Sequence, residues 1–137
     1  MDSITRTLDL VGDRWTLLIL RGVFRGLHRF SELHDDLGIA KNLLSDRLTR
    51  LVDAGIVDRV PYQERPVRHE YRLTEKGREL SPALIALMQW GDRWCGAADP
   101  PVVLHHSCCG TPIDLEVRCP TCARPVTATE ITSEVPA

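Results

Sequence analysis

The stretch from Gly38 to Gly77, GIAKNLLSDRLTRLVDAGIVDRVPYQERPVRHEYRLTEKG, switches its hydrophobic period once, and that switch limits the fold more than any other feature. In the first half Leu44, Leu48, Leu51 and Val52 fall at helical spacing and form one stripe, with Leu43 at its edge. Asn42, Ser45, Asp46, Thr49, Arg50 and Asp53 occupy the opposite face. Gly55 follows the last periodic residue, where a left-handed helix cap costs glycine least. In the second half, residues 56–61 and 68–73 read as strands, with Val57, Val60, Tyr71 and Leu73 interleaved among charged residues. Pro61 and Pro66 lack the amide donor that a central strand needs, so the spacing predicts an edge ribbon with a loop, Tyr62 to Val67, between them. Thr74 can cap the helix that follows.

Upstream, Phe30, Leu33 and Leu37 mark a shorter helix. Gly38-Ile39-Ala40 joins it to the next through a turn short enough to force a sharp crossing. Two crossed helices followed directly by a basic ribbon form the layout of a winged helix-turn-helix. The recognition helix is then 41–54 and the wing 62–68. The expected fold class is mainly α (α+β): a winged helix-turn-helix domain over residues 1–95, with a two-stranded wing. Asp13 can cap a helix starting near Arg14 that carries Trp15, Leu18, Ile19, Leu20 and Val23; Leu8, Leu10 and Val11 precede it on a short first helix. Beyond the hairpin, Leu80, Leu84, Leu87, Met88 and Trp90 run toward Trp94, and Pro82 either kinks this helix or restarts it with Ser81 as cap. The apolar face is wider than one small domain must bury. Leu8, Leu84, Leu87, Trp90 and Trp94 are read as a homodimer surface, with intramolecular packing on the tail as the alternative.

A chain of 137 residues allows one ordinary domain plus a small appendage. Its longest apolar runs are far too short to span a bilayer, and the first residues carry no secretory leader pattern, so a cytoplasmic location without membrane contact is expected. The net charge of −2 argues against a broad nucleic-acid footprint. Its distribution matters more. Residues 38–78 hold 9 basic and 6 acidic side chains, whereas residues 96–137 hold 2 and 5. Binding is therefore expected to be site-selective, through a dimer at two half-sites.

Several blocks then occur in an order that resembles one family. GDRWTLLILR, the RFSEL helix, LSDRL, YQERPVRHEY and LTEKG lie within residues 4–94. Together they resemble a HxlR-type winged-helix transcriptional regulator. The resemblance implies a bacterial dimer on double-stranded operator DNA, joined through its N-terminal and last long helices. Many such proteins carry a sensing cysteine just before the first helix. Met1-Asp2-Ser3 stands there instead, so that role is not carried over.

Residues at the start of a recognition helix reach base edges, which makes Lys41, Asn42, Ser45 and Asp46 the direct-readout candidates. Asn42 suits adenine, and Lys41 suits guanine or a phosphate. Asp46 can accept from cytosine but repels phosphates. Arg47 and Arg50 are expected to clamp phosphates, and Arg65 and Arg68 to contact backbone or minor groove from the wing.

After a linker at residues 96–101, containing Asp99-Pro100-Pro101, residues 102–137 form a second candidate module with a flexible end. Here His106-x2-Cys109 and Cys119-x2-Cys122 lie nine residues apart. Two such knuckles supply the four N/S ligands of a structural Zn²⁺, in a tail too short to bury a core, so a zinc-ribbon-like module is expected. Gly110 fits the first knuckle turn, and Ala123 stands where a glycine often ends the second. Resemblance to regulators with an H-x2-CG and CxxCG tail favours His106 over His105. A ligand set using Cys108, a thioredoxin-like Cys119-Pro120-Thr121-Cys122 and a disulfide framework are the rivals. Cys95 and Cys108 read as incidental thiols, and His28 and His34 as solvent-facing. No triad or phosphate-binding glycine loop stands out, so an enzyme is not expected. A winged-helix protein–protein adaptor is the alternative function, and a redox- or metal-responsive regulator a variant of the first. Any small-molecule effector is unidentified.

Overall fold

The computed structural model describes residues 1–96 and 98–136. Ala97, in the expected linker, and Ala137, at the end expected to be flexible, lie outside the described residues. Six helices and two small antiparallel ribbons follow in the order α1 (Ser3–Val11), α2 (Arg14–Phe24), α3 (Phe30–Leu37), α4 (Lys41–Asp53), β1 (Val57–Glu64), β2 (Val67–Leu73), α5 (Glu75–Arg78), α6 (Ser81–Trp94), β3 (Arg118–Cys119) and β4 (Arg124–Pro125). The chain divides into two compact units, Met1–Leu84 and Ile85–Ala137, with the division inside α6. Among the described residues no helix is long and apolar enough to cross a membrane.

The core of the first unit follows the expected stripes. Ile19 and Leu20 from α2, Leu33 from α3, and Leu44, Leu48 and Leu51 from α4 are fully buried with Ile39, Ile56 and Val57. Each such side chain contributes roughly 1.5–3 kcal/mol relative to exposure. Asp13 caps α2 as predicted: its carboxylate accepts from the Thr16 amide at 3.3 Å and from the Thr16 hydroxyl. Gly38 ends α3 at φ +63°. The end of α4 is a Schellman closure around Gly55 (φ +71°), whose N–H donates to Val52 O, while Ile56 N–H donates to Leu51 O, both at 3.0 Å. Ile56 thereby enters the core immediately before β1.

The hairpin differs from expectation at its far end. Pro61 does not stop β1; it stands opposite His69, the register slips between Pro61 and Gln63, and pairing resumes to Glu64↔Val67. The six-residue loop expected at 62–67 is thus a bulge at Tyr62 and a two-residue turn at Arg65-Pro66, whose peptide is cis. Proline is tolerated at 61 because β1 is the edge strand, and β2 has a second neighbour on its other side. There an isolated bridge joins Arg29 to Glu70, and Tyr71 N–H donates to His28 O at 2.7 Å. Thr74 caps α5, accepting the Gly77 N–H at 3.1 Å. The helix then restarts with Pro82 in its first turn. Ser81 is already helical, and the Leu80 carbonyl accepts from Leu84 N–H, so Leu80, not Ser81, holds the capping position.

The second unit comprises the later part of α6, the short β3–β4 ribbon and a 3-10 turn at Ala128–Glu130. None of its described residues is buried.

Candidate nucleic-acid interface

The recognition helix α4 shows its polar face to solvent because its other face is spent on the core. Lys41, Asn42, Ser45, Asp46 and Arg50 are all exposed. Arg47 is not. Its side chain is only 19% exposed, with Nε 3.1 Å from Asp13 Oδ2 and Nη1 2.5 Å from Asp46 Oδ2. The Asp13 bond pushes the guanidinium's pKa further up. Arg47, expected to clamp phosphate, instead ties α4 to the first turn of α2. Asp46 is likewise engaged: besides Arg47 it pairs with Arg50 Nε at 3.2 Å, one helical turn away. Its carboxylate therefore orients two arginines instead of standing free for a cytosine.

On the wing, Arg65 in the turn and Arg68 on β2 just beyond it are exposed. The wing's root is fixed by residues that the sequence reading did not single out. The Arg29 guanidinium lies over the Tyr62 ring, 4.3 Å from its centroid, with Nε 3.7 Å from Glu70. Glu70 also accepts from Arg72 at 2.6 Å, and this bond, then the nearby Arg29 charge, holds its carboxyl below the ordinary value. Glu32 accepts the N–H groups of Arg29 and His28, which depress its pKa in that order and close the start of α3. His28 and His34 are half-buried instead of solvent-facing. Each ring Nδ1 lies within hydrogen-bonding distance of a carbonyl, Tyr71 O at 3.1 Å and Ile39 O at 2.8 Å.

The candidate dimer residues divide. Leu8 on α1 is exposed, as are Leu87, Trp90 (62%) and Trp94 (68%) on α6; Leu84 is half-buried against the first unit's core.

In the tail, the two expected knuckles are matching turns. Gly110 N–H donates to His106 O at 2.7 Å, and Ala123 N–H to Cys119 O at 2.8 Å; Gly110 and Ala123 close them at φ +72° and +54°. His106 Nδ1 lies 3.4 Å from Cys109 Sγ, and Cys122 N–H donates to Cys119 Sγ at 3.4 Å. Bonds from the Thr111 hydroxyl and amide hold the Cys109 thiol below its ordinary pKa, and the Cys122 and Thr121 amides do the same for Cys119. Among the described residues no three His, Cys, Asp or Glu side chains are gathered closely enough to hold a metal ion, so the two pairs stand apart.

Comparison with known proteins agrees with the geometry of the first unit. Residues 10–99 match the family described as HxlR-like helix-turn-helix. An uncharacterized HTH-type transcriptional regulator of Mycobacterium tuberculosis is 49% identical over 134 residues, covering 97% of this chain and 85% of its own. The crystal structure of PA1607, described as a candidate transcription factor, superposes with a TM-score of 0.87 at 41% identity, covering 97% of this chain and 94% of that one. The reduced form of the regulator YodB from Bacillus subtilis gives 0.60 at 32% identity, covering 72% of this chain and 98% of that one. The tail thus extends past the family match and is shared with the first two proteins. The chain belongs to the HxlR-like helix-turn-helix family of transcriptional regulators.

Proposed function

We propose that the protein is a homodimer that binds a two-fold operator in the cytoplasm, reading bases with Lys41, Asn42 and Ser45 at the start of α4. Arg50 and the wing residues Arg65 and Arg68 contact the backbone or minor groove. The observation that carries this reading is the exposed polar face of α4, whose one covered cation, Arg47, is bound inward to Asp13. An adaptor would present apolar anchors on that face, where this chain has Lys41, Asn42, Ser45 and Arg50. Asp46 supports the reading indirectly by orienting Arg50. Arg50→Ala and Arg65→Ala should each weaken binding to the operator and lower the salt slope by about 1. Unchanged affinity and slope for both, measured by fluorescence anisotropy on DNA from upstream of its own gene, would reject the interface.

We infer also that the tail is a small metal-binding appendage, supported by its ligand spacing and by the absence of buried residues among those described in its unit. It carries 4 of the 5 cysteines, Cys108, Cys109, Cys119 and Cys122.

A further inference from the structure

We propose that the groove along the second half of α6 is a binding site for a hydrophobic organic cation, held by the carboxylates of Asp92 and Asp114 and the ring of Trp90, and that its occupancy is felt at the dimer face. The effector role rests on the proposed pairing through α6; the site itself does not, nor does it need a metal in the tail.

The groove lies wholly within the second unit. It is open to solvent, encloses about 640 Å³, and is lined by α6, segment 102–104 and segment 113–115. That volume falls within the roughly 300–1,000 Å³ usual for small-molecule sites. Hydrogen bonds fasten the three walls to one another. Ile113 N–H donates to Leu104 O at 2.9 Å, Gln89 Nε2 donates to Ile113 O at 3.1 Å, and Gln89 Oε1 accepts the Leu115 N–H at 3.2 Å. The Leu115 N–H is shared with Asp114 Oδ1 at 3.0 Å, which fixes that carboxylate on the wall. A groove held in this way loses little freedom when a ligand enters.

Its lining is apolar, with charge of one sign left uncompensated. Met88, Trp90, Trp94, Val102 and Val103 supply apolar surface, and both indoles are largely exposed. Asp92 and Asp114 line the same groove, and neither has an ion-pair partner among the described residues. Arg93, the basic side chain beside them, lies over the Trp94 ring, 5.4 Å from its centroid. Residues 85–137 hold 6 acidic and 3 basic side chains, so the unit as a whole adds to the negative field. An indole face attracts cations more strongly than any other aromatic ring, and among the described residues no cation covers that of Trp90. An anion would meet two carboxylates, and a small hydrated cation gains nothing from the valines and Met88. A charge spread over an apolar body suits both parts of the lining. On α6, Ala86, Gln89 and Arg93 follow one helical stripe and Leu87, Trp90 and Trp94 the next. Groove and pairing face therefore meet at the two indoles, where a bound cation and a second copy act on the same rings.

The test uses the full chain and two probes of one shape and opposite charge, tetraphenylphosphonium and tetraphenylborate, titrated calorimetrically in sodium buffer. One phosphonium per chain is expected, bound about tenfold or more tightly than the borate. Asp92→Asn combined with Asp114→Asn should weaken the phosphonium by about tenfold and erase the preference for positive charge. Trp90→Leu should weaken it and keep the preference, and Asp58→Asn on the wing should change neither. Saturating phosphonium should shift operator affinity by about fivefold or more in the wild type and not in the doubly substituted chain. No binding, or both probes bound alike, overturns the site, and so does a doubly substituted chain that binds like the wild type. Binding that appears only after Leu87→Asp has separated the copies gives the groove to the second copy and overturns the proposal. Unchanged operator affinity at saturation removes the effector role and leaves the site.

Discussion

The Asp13 carboxylate receives the Thr16 amide, the Thr16 hydroxyl and the Arg47 guanidinium, so one side chain both starts α2 and fixes α4. Burial works against its charge, but the Thr16 hydroxyl and Arg47 outweigh it, and its pKa falls below the ordinary 3.8. A depressed carboxylate adds stability that is complete above its unfolded value, about 3.9, and lost as pH falls through the lower folded value. Asp13→Asn keeps a capping oxygen and loses the charge. Thermal melts of this variant should therefore show a shallower loss of Tm below about pH 4 than the wild type. The carboxylate is 42% exposed, so solvent screening keeps the effect below about 1 kcal/mol. An acid limb as steep as the wild type's would show that the charge contributes nothing. Arg47→Ala tests the other end of the pair. It should lower Tm by a few degrees while leaving the salt slope of operator binding nearly unchanged, the reverse of the pattern expected for Arg50→Ala.

Between elements, α5 packs closely on the backbone just before β1. A Cβ on Gly77 would fall well inside contact distance of the Ile56 carbonyl, which belongs to backbone and cannot swing away. Thr74 closes the same junction, its hydroxyl lying 2.6 Å from Gly55 O and its N–H donating to Ile56 O at 3.1 Å. Gly77→Ala should cost about 1–3 kcal/mol in urea unfolding, as overpacking does. A change under half that would mean that α5 can lift from the strand without loss. The LTEKG block was legible as a motif, yet its physical reason, a backbone contact from Gly77 to a residue 21 positions earlier, was not. The same division runs through the first unit. The stripe of Leu44, Leu48 and Leu51, the caps at Asp13 and Thr74 and the Gly55 stop could be read from spacing, because their geometry is local. The bulge at Tyr62 and the turn at Arg65-Pro66 could not. They depend on which strand is the edge, and that is set by the bridge from Glu70 to Arg29. At the candidate site, exposure of Lys41, Asn42, Ser45 and Arg50 follows from the helical period. The capture of Arg47 by Asp13 and the clasp of Arg29 on Tyr62 join residues more than thirty positions apart, and no periodic signal carries them.

For the molecule as a whole, the proposed operator reading, with so small a basic excess, calls for a second copy. Two linked half-site contacts can exceed one by 10²–10⁴-fold in affinity without any new contact, provided that both engage together. The C-terminal half of α6 supplies an apolar surface of the required kind, with Leu87, Trp90 and Trp94 more than half exposed. Leu84, included in that surface on sequence, is half-buried against the first unit's core. Leu87→Asp combined with Trp90→Asp leaves both the buried stripe of α4 and the wing untouched. The doubly substituted chain should sediment as a monomer, keep its helical circular dichroism, and lose operator affinity by about a hundredfold or more. A half-site duplex should bind it as weakly as it binds the wild type, because neither the recognition helix nor the wing has changed. Should the double variant still sediment as a dimer with full operator affinity, the α6 face is not what joins the copies, and the exposed Ile4, Leu8 and Leu10 of α1 become the surface to substitute next.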